Sequence, residues 1–208
     1  MDCSLLLPHS SILVIGRRRP STTTLVQEIV HHIKTRPGIP GNTMRALEMV
    51  EWDDESVATL AASEEGREAL IVCDGGVRLA SATTWRTSPG LREVIFNGRH
   101  RRIDFVCTMP SSFPLPPDVC ANIDYVFLTE AFTDAERGRL YRKFASGAFP
   151  TREAFDAALL HQQPGYLAIP CCAKKGEQTA EQTAAAQQEQ TGGLLWDWVA
   201  RFWGGAEQ

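Results

Sequence analysis

The sequence predicts an α/β domain whose mainly parallel central sheet is covered by helices on both faces, a three-layer sandwich. Three observations predict it. Short continuous apolar runs at residues 11–15, 69–73, 103–109 and 125–128 have the pattern of strands buried on both faces, not the alternation of half-exposed ones. Stretches with helical spacing separate those runs, as strand–helix alternation requires. The chain has 208 residues, 43% of them hydrophobic and 22% charged, enough for one domain with a real core.

Ser11-Ile12-Leu13-Val14-Ile15 ends at Gly16 and reads as the first strand. Leu25, Val26, Ile29, Val30 and Ile33 recur at helical spacing, predicting a helix over residues 22–34. Pro37, Gly38, Pro40 and Gly41 break the chain, and Asp53 or Asp54 can cap a short helix through Ala62. Ala69 to Asp74 is a second strand ending on an acid, with Gly75-Gly76 after it. Pro89 opens a helix that runs to Asn97, where Asn97-Gly98 predicts a C-cap. Strands are expected over residues 103–109 and 125–128. Helices are expected over residues 133–145 and 151–161. Thr133 with Glu136 completes a capping box, and residues 166–169 form a fifth strand. Residues 1–172 form this domain. Residues 173–193, rich in Gln, Ala, Thr and Glu, read as a linker. Residues 194–208 carry Trp196, Trp198, Phe202 and Trp203. These aromatics either dock on the domain or meet a partner.

A strand, loop and helix at the start of such a domain is where a phosphate-binding loop sits, with the pattern GxxxxGK[ST]. Here the segment is Gly16-Arg17-Arg18-Arg19-Pro20-Ser21-Thr22-Thr23. The first Gly and the last hydroxyl are in register, but Ser21 stands at the second Gly and Thr22 at the Lys. Pro20 offers no N–H to a phosphate, and Thr22 carries no ammonium. By itself the segment also fits a plain strand–turn–helix. Asp74 closes its strand as a magnesium-holding acid would, and equally as a turn former does. Gly75 comes next, where a second acid would polarise water.

The later half is more specific. Phe96-Asn97-Gly98-Arg99-His100 precedes Thr108-Met109, then Pro116-Pro117-Asp118-Val119-Cys120-Ala121-Asn122-Ile123-Asp124-Tyr125-Val126-Phe127. This resembles the "NGRH … TMQ … PPxLRxNIDYVF" stretch of the genome-packaging ATPases of nucleocytoplasmic large DNA viruses, P-loop proteins of the FtsK/HerA type that include the poxvirus packaging protein. Arg139-Leu140-Tyr141, Phe144, Phe149-Pro150-Thr151 and Phe155 resemble that family's "LYKxFFGxFPTxxxF" helices. The resemblance spans residues 12–169. It implies a RecA-like P-loop fold and a role in viral genome packaging or virion assembly. The partners it implies are viral DNA and an oligomer, either of this chain or with an active packaging ATPase. The location implied is host cytoplasm (the viral factory) or the virion. ATP and Mg²⁺ are the implied cofactors if the altered loop still binds, with Thr23 and Asp74 at the metal. The chain departs from the family at Ser21, Thr22, Gly75, at Pro110 in place of the sensor Gln, and at Cys120 in place of an Arg. Departures concentrated on chemistry imply a pseudoenzyme with a structural or regulatory role. The rivals are an active ATP-driven translocase with a loop arginine replacing the Lys, and an interaction protein that binds neither nucleotide nor DNA. The stretch before Asp74 also looks short for the family, so one strand is expected to be missing.

The net charge of −4 excludes a protein basic over its whole surface, so any nucleic-acid contact must be local. Arg99, His100, Arg101 and Arg102 are the local cluster, readable as a DNA or subunit contact or as a solvated helix end. The six Cys form no CxxC pair and no zinc spacing. Cys73 and Cys107 read as buried reduced thiols, which points to a reducing compartment. No apolar run is long enough for a membrane span.

Overall fold

The computed structural model describes residues 6–17, 19–36, 45–49, 53–62, 68–73, 82–110, 115–129, 132–160 and 165–171. Arg18, Asp74, Gly75, the linker and the Trp-bearing segment lie outside the described residues. Six strands form one sheet in the order β2-β3-β4-β1-β5-β6. They are β1 (Ser11–Ile15), β2 (Arg45–Met49), β3 (Ala69–Cys73), β4 (Ile103–Met109), β5 (Tyr125–Leu128) and β6 (Leu167–Pro170). All neighbours pair parallel except β5 and β6, which are antiparallel. The continuous apolar runs are therefore central strands, and every residue of β1, β3, β4 and β5 is buried.

Handedness explains which helix lies where. A parallel crossover is right-handed, so connections running in opposite directions along a sheet place their helices on opposite faces. The chain leaves β1 for the far edge strand β2 through α1 (Pro20–Lys34), then steps back through β3 and β4 and on to β5. α1 accordingly packs Leu25, Val26, Ile29 and Ile33 on the face made by Ile12, Val14, Leu70, Val72, Val106 and Phe127. The return connections hold α2 (Asp54–Ala62), α3 (Ala82–Thr87), α4 (Pro89–Asn97) and α5 (Pro117–Cys120). The chain then runs through α6 (Asp134–Leu140) and α7 (Arg152–Leu160) before β6. Side chains of these elements, among them Val57, Trp85, Leu91, Val119, Leu140 and Phe155, share the opposite core with Leu13, Ile71, Phe105, Cys107 and Val126. These are the two outer layers of the sandwich.

Local signals are met with three differences. Thr133 and Glu136 form the reciprocal capping box at α6, and Ser88 caps α4 by accepting from Leu91 N at 3.0 Å. The helix expected over residues 133–145 changes pitch at Tyr141 and finishes as a π-helical turn, Tyr141–Ala145. The strand expected to be missing is present as β2, paired to β3 along its whole length. Gly98 is the C-cap of α4 as expected, but not in the left-handed conformation common at that position; its φ is −53°, and it is glycine because a Cβ would collide with Val94 O. The positive φ of that turn, +56°, is carried by Arg102.

Candidate functional site

The fold creates one edge suited to a ligand. β1 is flanked by β4 and β5, its own helix leaves toward one side, and the chain after β4 crosses to the other. In open α/β sheets the crevice at such a switch point, beyond the carboxyl ends of the strands, is the binding position. Three residues stand there. Gly16 comes directly after β1, Pro110 after β4 and Thr129 after β5. Ile15 is level with both Met109 and Leu128, and the ladders run one residue further, Gly16 N donating to Met109 O at 2.9 Å and Thr129 N to Ile15 O at 3.1 Å. Cys73, the residue before Asp74, is level with Cys107 on β4.

The loop itself is short. α1 begins at Pro20, so Ser21, Thr22 and Thr23 lie in the first turn of the helix rather than in a wide loop. Among the described residues no side chain caps this helix, and its first turn carries no acid, so nothing described there offsets the positive end of its dipole. Arg17 and Arg19 are exposed beside it. The threonines point elsewhere. Thr23 Oγ1 bonds back to Arg19 O at 3.3 Å. Thr22 is 3% exposed; its hydroxyl donates to Arg17 O at 3.0 Å and lies 3.1 Å from Thr129 Oγ1. Each hydroxyl has one proton and a carbonyl acceptor besides the other, Arg17 O for Thr22 and Ile15 O, at 3.5 Å, for Thr129, so either can be the donor of the pair. A Cβ on Gly16 would collide with the same Thr129 hydroxyl. Thr22, Thr129 and Gly16 thus form a closed clasp at the strand ends. The sequence does not single out Thr129; its only signal there is a hydroxyl directly after an apolar strand, which many turns share.

The other candidates lie at the opposite edge. Arg99 to Arg102 occupy the turn entering β4, about 20 Å of strand away from Gly16 at the rise of a seven-residue strand. Arg99 is paired with Asp124 at 2.6 Å and Arg101 with Glu93 at 3.1 Å, so two of the cluster's cations are already met by carboxylates of this chain. His100 is exposed and lines a pocket of about 240 Å³ with His9, Asn122 and Asp124. Cys120 also belongs to this edge: its carbonyl accepts from Ile123 N, just before β5, and burial pushes its thiol up, with Lys143 opposing. Nearby, Asp104 is fully buried on β4, accepting from Ser10 N at 3.0 Å and from Arg36 Nη1 at 3.3 Å. Cys73 and Cys107 are buried, as expected. Among the described residues no group of three or more His, Cys, Asp or Glu could hold a metal, and no helix is long and apolar enough to cross a membrane.

A sheet of this order with a strand–loop–helix at its switch point is the fold of a P-loop NTPase of the viral genome-packaging type. The genome packaging NTPase B204 of Sulfolobus turreted icosahedral virus 2, solved with AMPPCP, superposes with a TM-score of 0.59 at 10% identity, over 81% of this chain and 95% of that one. The DNA-packaging ATPase B204 of Sulfolobus turreted icosahedral virus superposes with a TM-score of 0.55 at 13% identity, over 81% and 96%. At such identities the likeness establishes the fold. No family model matches the chain. The uncharacterized protein L437 of Acanthamoeba polyphaga mimivirus is 34% identical over 192 residues, covering 79% of this chain and 67% of that protein. The chain belongs to the family of this mimivirus protein, and in fold it resembles viral genome-packaging NTPases.

Proposed function

We propose that this protein is a packaging-ATPase homologue of a large DNA virus that does not hydrolyse ATP and serves genome packaging or virion assembly as a structural or regulatory subunit. The observation that carries the reading is the position of Thr22. It occupies the lysine position, is buried, and spends its hydroxyl inside the loop on Arg17 O and Thr129. Thr23, at the magnesium-hydroxyl position, is likewise turned back onto Arg19 O. The described residues therefore do not make the lysine-and-hydroxyl set that holds Mg-ATP. Pro110, at the sensor position, has no amide side chain and no N–H to orient water.

What the edge retains is the uncapped end of α1 with Arg17 and Arg19, which supports weak anion contact in place of catalysis. The missing lysine removes one charge-assisted contact of about 1.5–3 kcal/mol, roughly ten- to a hundredfold in affinity. Steady-state phosphate release by the purified chain is the test, with Asp74→Ala as the control that removes the one candidate metal acid. The expected rate equals the control. Turnover above it, abolished by Asp74→Ala, would overturn this reading in favour of an active translocase. Oligomerisation with an active packaging ATPase, and residence in the viral factory or virion, belong to the same proposal.

A further inference from the structure

At the edge opposite the clasp, a pocket of about 400 Å³ opens between α5 and the π-helical turn. Leu115 and Phe144, both buried, form its floor, and the half-buried Cys120 and Cys171 stand in its wall. The exposed Arg142 and Lys143 are at its mouth. Three consecutive residues, 142–144, therefore share one opening. On an α-helix such neighbours diverge by about 100° each and do not face one another. The π turn, closed by Ser146 N donating to Tyr141 O at 2.8 Å, has more residues per turn, so successive side chains diverge less. Turns of this kind recur at functional sites.

The charge at this mouth is not answered within the described fold. None of the described lining residues is an acid, and neither Arg142 nor Lys143 pairs with a carboxylate among the described residues. Arg92, Arg99, Arg101, Arg137 and Arg152 each do. Lys143 Nζ donates to Leu115 O at 3.1 Å, which fixes the ammonium across the mouth by one of its three donors. Burial pushes the Cys120 thiol up, so it stays protonated and sets no negative charge against the two cations. Asp118, which acts on the same thiol, is turned to Arg92 at 3.7 Å. A largely apolar cavity of this size with a few fixed charges has the form of a small-molecule site. Two cations above an apolar floor select an anion with an apolar body, and the guanidinium fork suits a carboxylate. We propose that this pocket binds a small organic carboxylate, its aryl or alkyl body on Leu115 and Phe144 and its carboxylate between Arg142 and Lys143. The inference does not rest on the nucleotide reading.

Titration calorimetry on the full-length reduced protein tests it, with 3-phenylpropionate as the probe and 3-phenylpropionamide and propionate as its uncharged and ringless controls. The expected dissociation constant for 3-phenylpropionate is about 1 mM or below, within the range a ligand of this size reaches. Both controls should bind weaker by about tenfold or more. Saturating 3-phenylpropionate should also slow alkylation of Cys120 by N-ethylmaleimide, because Cys120 lines the pocket, while the fully buried Cys107 stays slow throughout. Arg142→Gln should weaken the acid about tenfold and leave the amide unchanged. Arg142→Lys, which keeps the charge, should restore most of that loss. No saturable binding of the acid overturns the proposal, as does equal affinity for acid and amide. Binding that leaves Cys120 unprotected puts the ligand elsewhere and overturns it too. So does a loss in Arg142→Lys as large as in Arg142→Gln. Fast alkylation of Cys107 in a variant marks an unfolded protein, and the three ligands on the wild-type chain then decide alone.

Discussion

The clasp at the switch point makes a quantitative claim about Thr22 and Thr129. Thr22→Val keeps the branched shape and removes the hydroxyl that serves Arg17 O and Thr129 Oγ1. Arg17 O then loses this donor, and Thr129 Oγ1, on a residue 8% exposed, keeps only the long contact to Ile15 O at 3.5 Å; weakening the bonding of a buried group in this way costs about 1–3 kcal/mol. Thr129→Val leaves the Thr22 bond to Arg17 O intact, so its cost falls at the lower end, about 1 kcal/mol. The double variant removes the pair together and should cost less than the two singles added, with a coupling of about 1 kcal/mol. Urea denaturation reads all four proteins, and at an m value of about 1–3 kcal/mol per molar the Thr22→Val midpoint should fall by roughly 1 M. Calorimetry with Mg-ATP on the same proteins should show no gain in binding, because the hydroxyl was not facing a ligand. Refutation takes two forms. A Thr22→Val protein with the wild-type midpoint means the hydroxyl is not engaged in the fold. Strictly additive singles mean Thr22 and Thr129 do not touch.

Two further outcomes are expected. Ile71 and Val72 are both buried but belong to opposite cores, so Ile71→Ala should cost about 2–5 kcal/mol and Val72→Ala somewhat less; a wild-type denaturation midpoint for either single variant would mean one face of β3 is not covered. Asp53 accepts from Ser56 N and Glu55 N at the start of α2, and the Ser56 hydroxyl and backbone bonds hold its carboxyl below the ordinary range. Its folded value is the depressed one, so its contribution is present above the unfolded value and fades as pH falls through the folded one. The acid-unfolding midpoint should therefore lie closer to neutral pH in wild type than in Asp53→Asn, relative to each protein's stability at pH 7.

Much of the fold was legible because burial on both faces leaves a strand no choice but continuous apolar sequence, as in Ser11–Ile15 and Ile103–Met109. β2 was not legible. Arg45–Met49 is an edge strand of mixed polarity, and neither alternation nor a continuous run marks it. The π-helical turn was hidden for another reason: Tyr141–Ala145 keeps ordinary helix-forming residues, and the extra residue per turn leaves no compositional trace. Of the candidate site, the sequence placed Gly16, Ser21, Thr22 and Thr23 on one strand–loop–helix, and the structure keeps them there. It could not show that Cys120 and Arg99 to Arg102 sit at the other edge. A linear motif carries no strand direction; only the parallel pairing of β1, β4 and β5 separates residues that enter strands from residues that leave them.

That separation bears on the one motif glycine the chain retains. In a working phosphate loop the first glycine is explained by the turn and by close backbone approach to a phosphate. Gly16 has no left-handed φ among the described residues, so no backbone conformation demands glycine there. Its constraint is Thr129: an added Cβ collides with the hydroxyl but meets Thr129 Cβ only at 3.4 Å. Gly16→Ala should therefore cost about 1–3 kcal/mol as an overpacked contact, and the cost should largely vanish in a Thr129→Ala background, where the colliding oxygen is gone. Denaturation of the four proteins of this cycle decides between two histories of the residue. Relief by Thr129→Ala makes Gly16 a packing residue, so that its match to the motif is no evidence of phosphate binding. A cost that persists undiminished in the Thr129→Ala background removes the steric account and returns Gly16 to the phosphate loop.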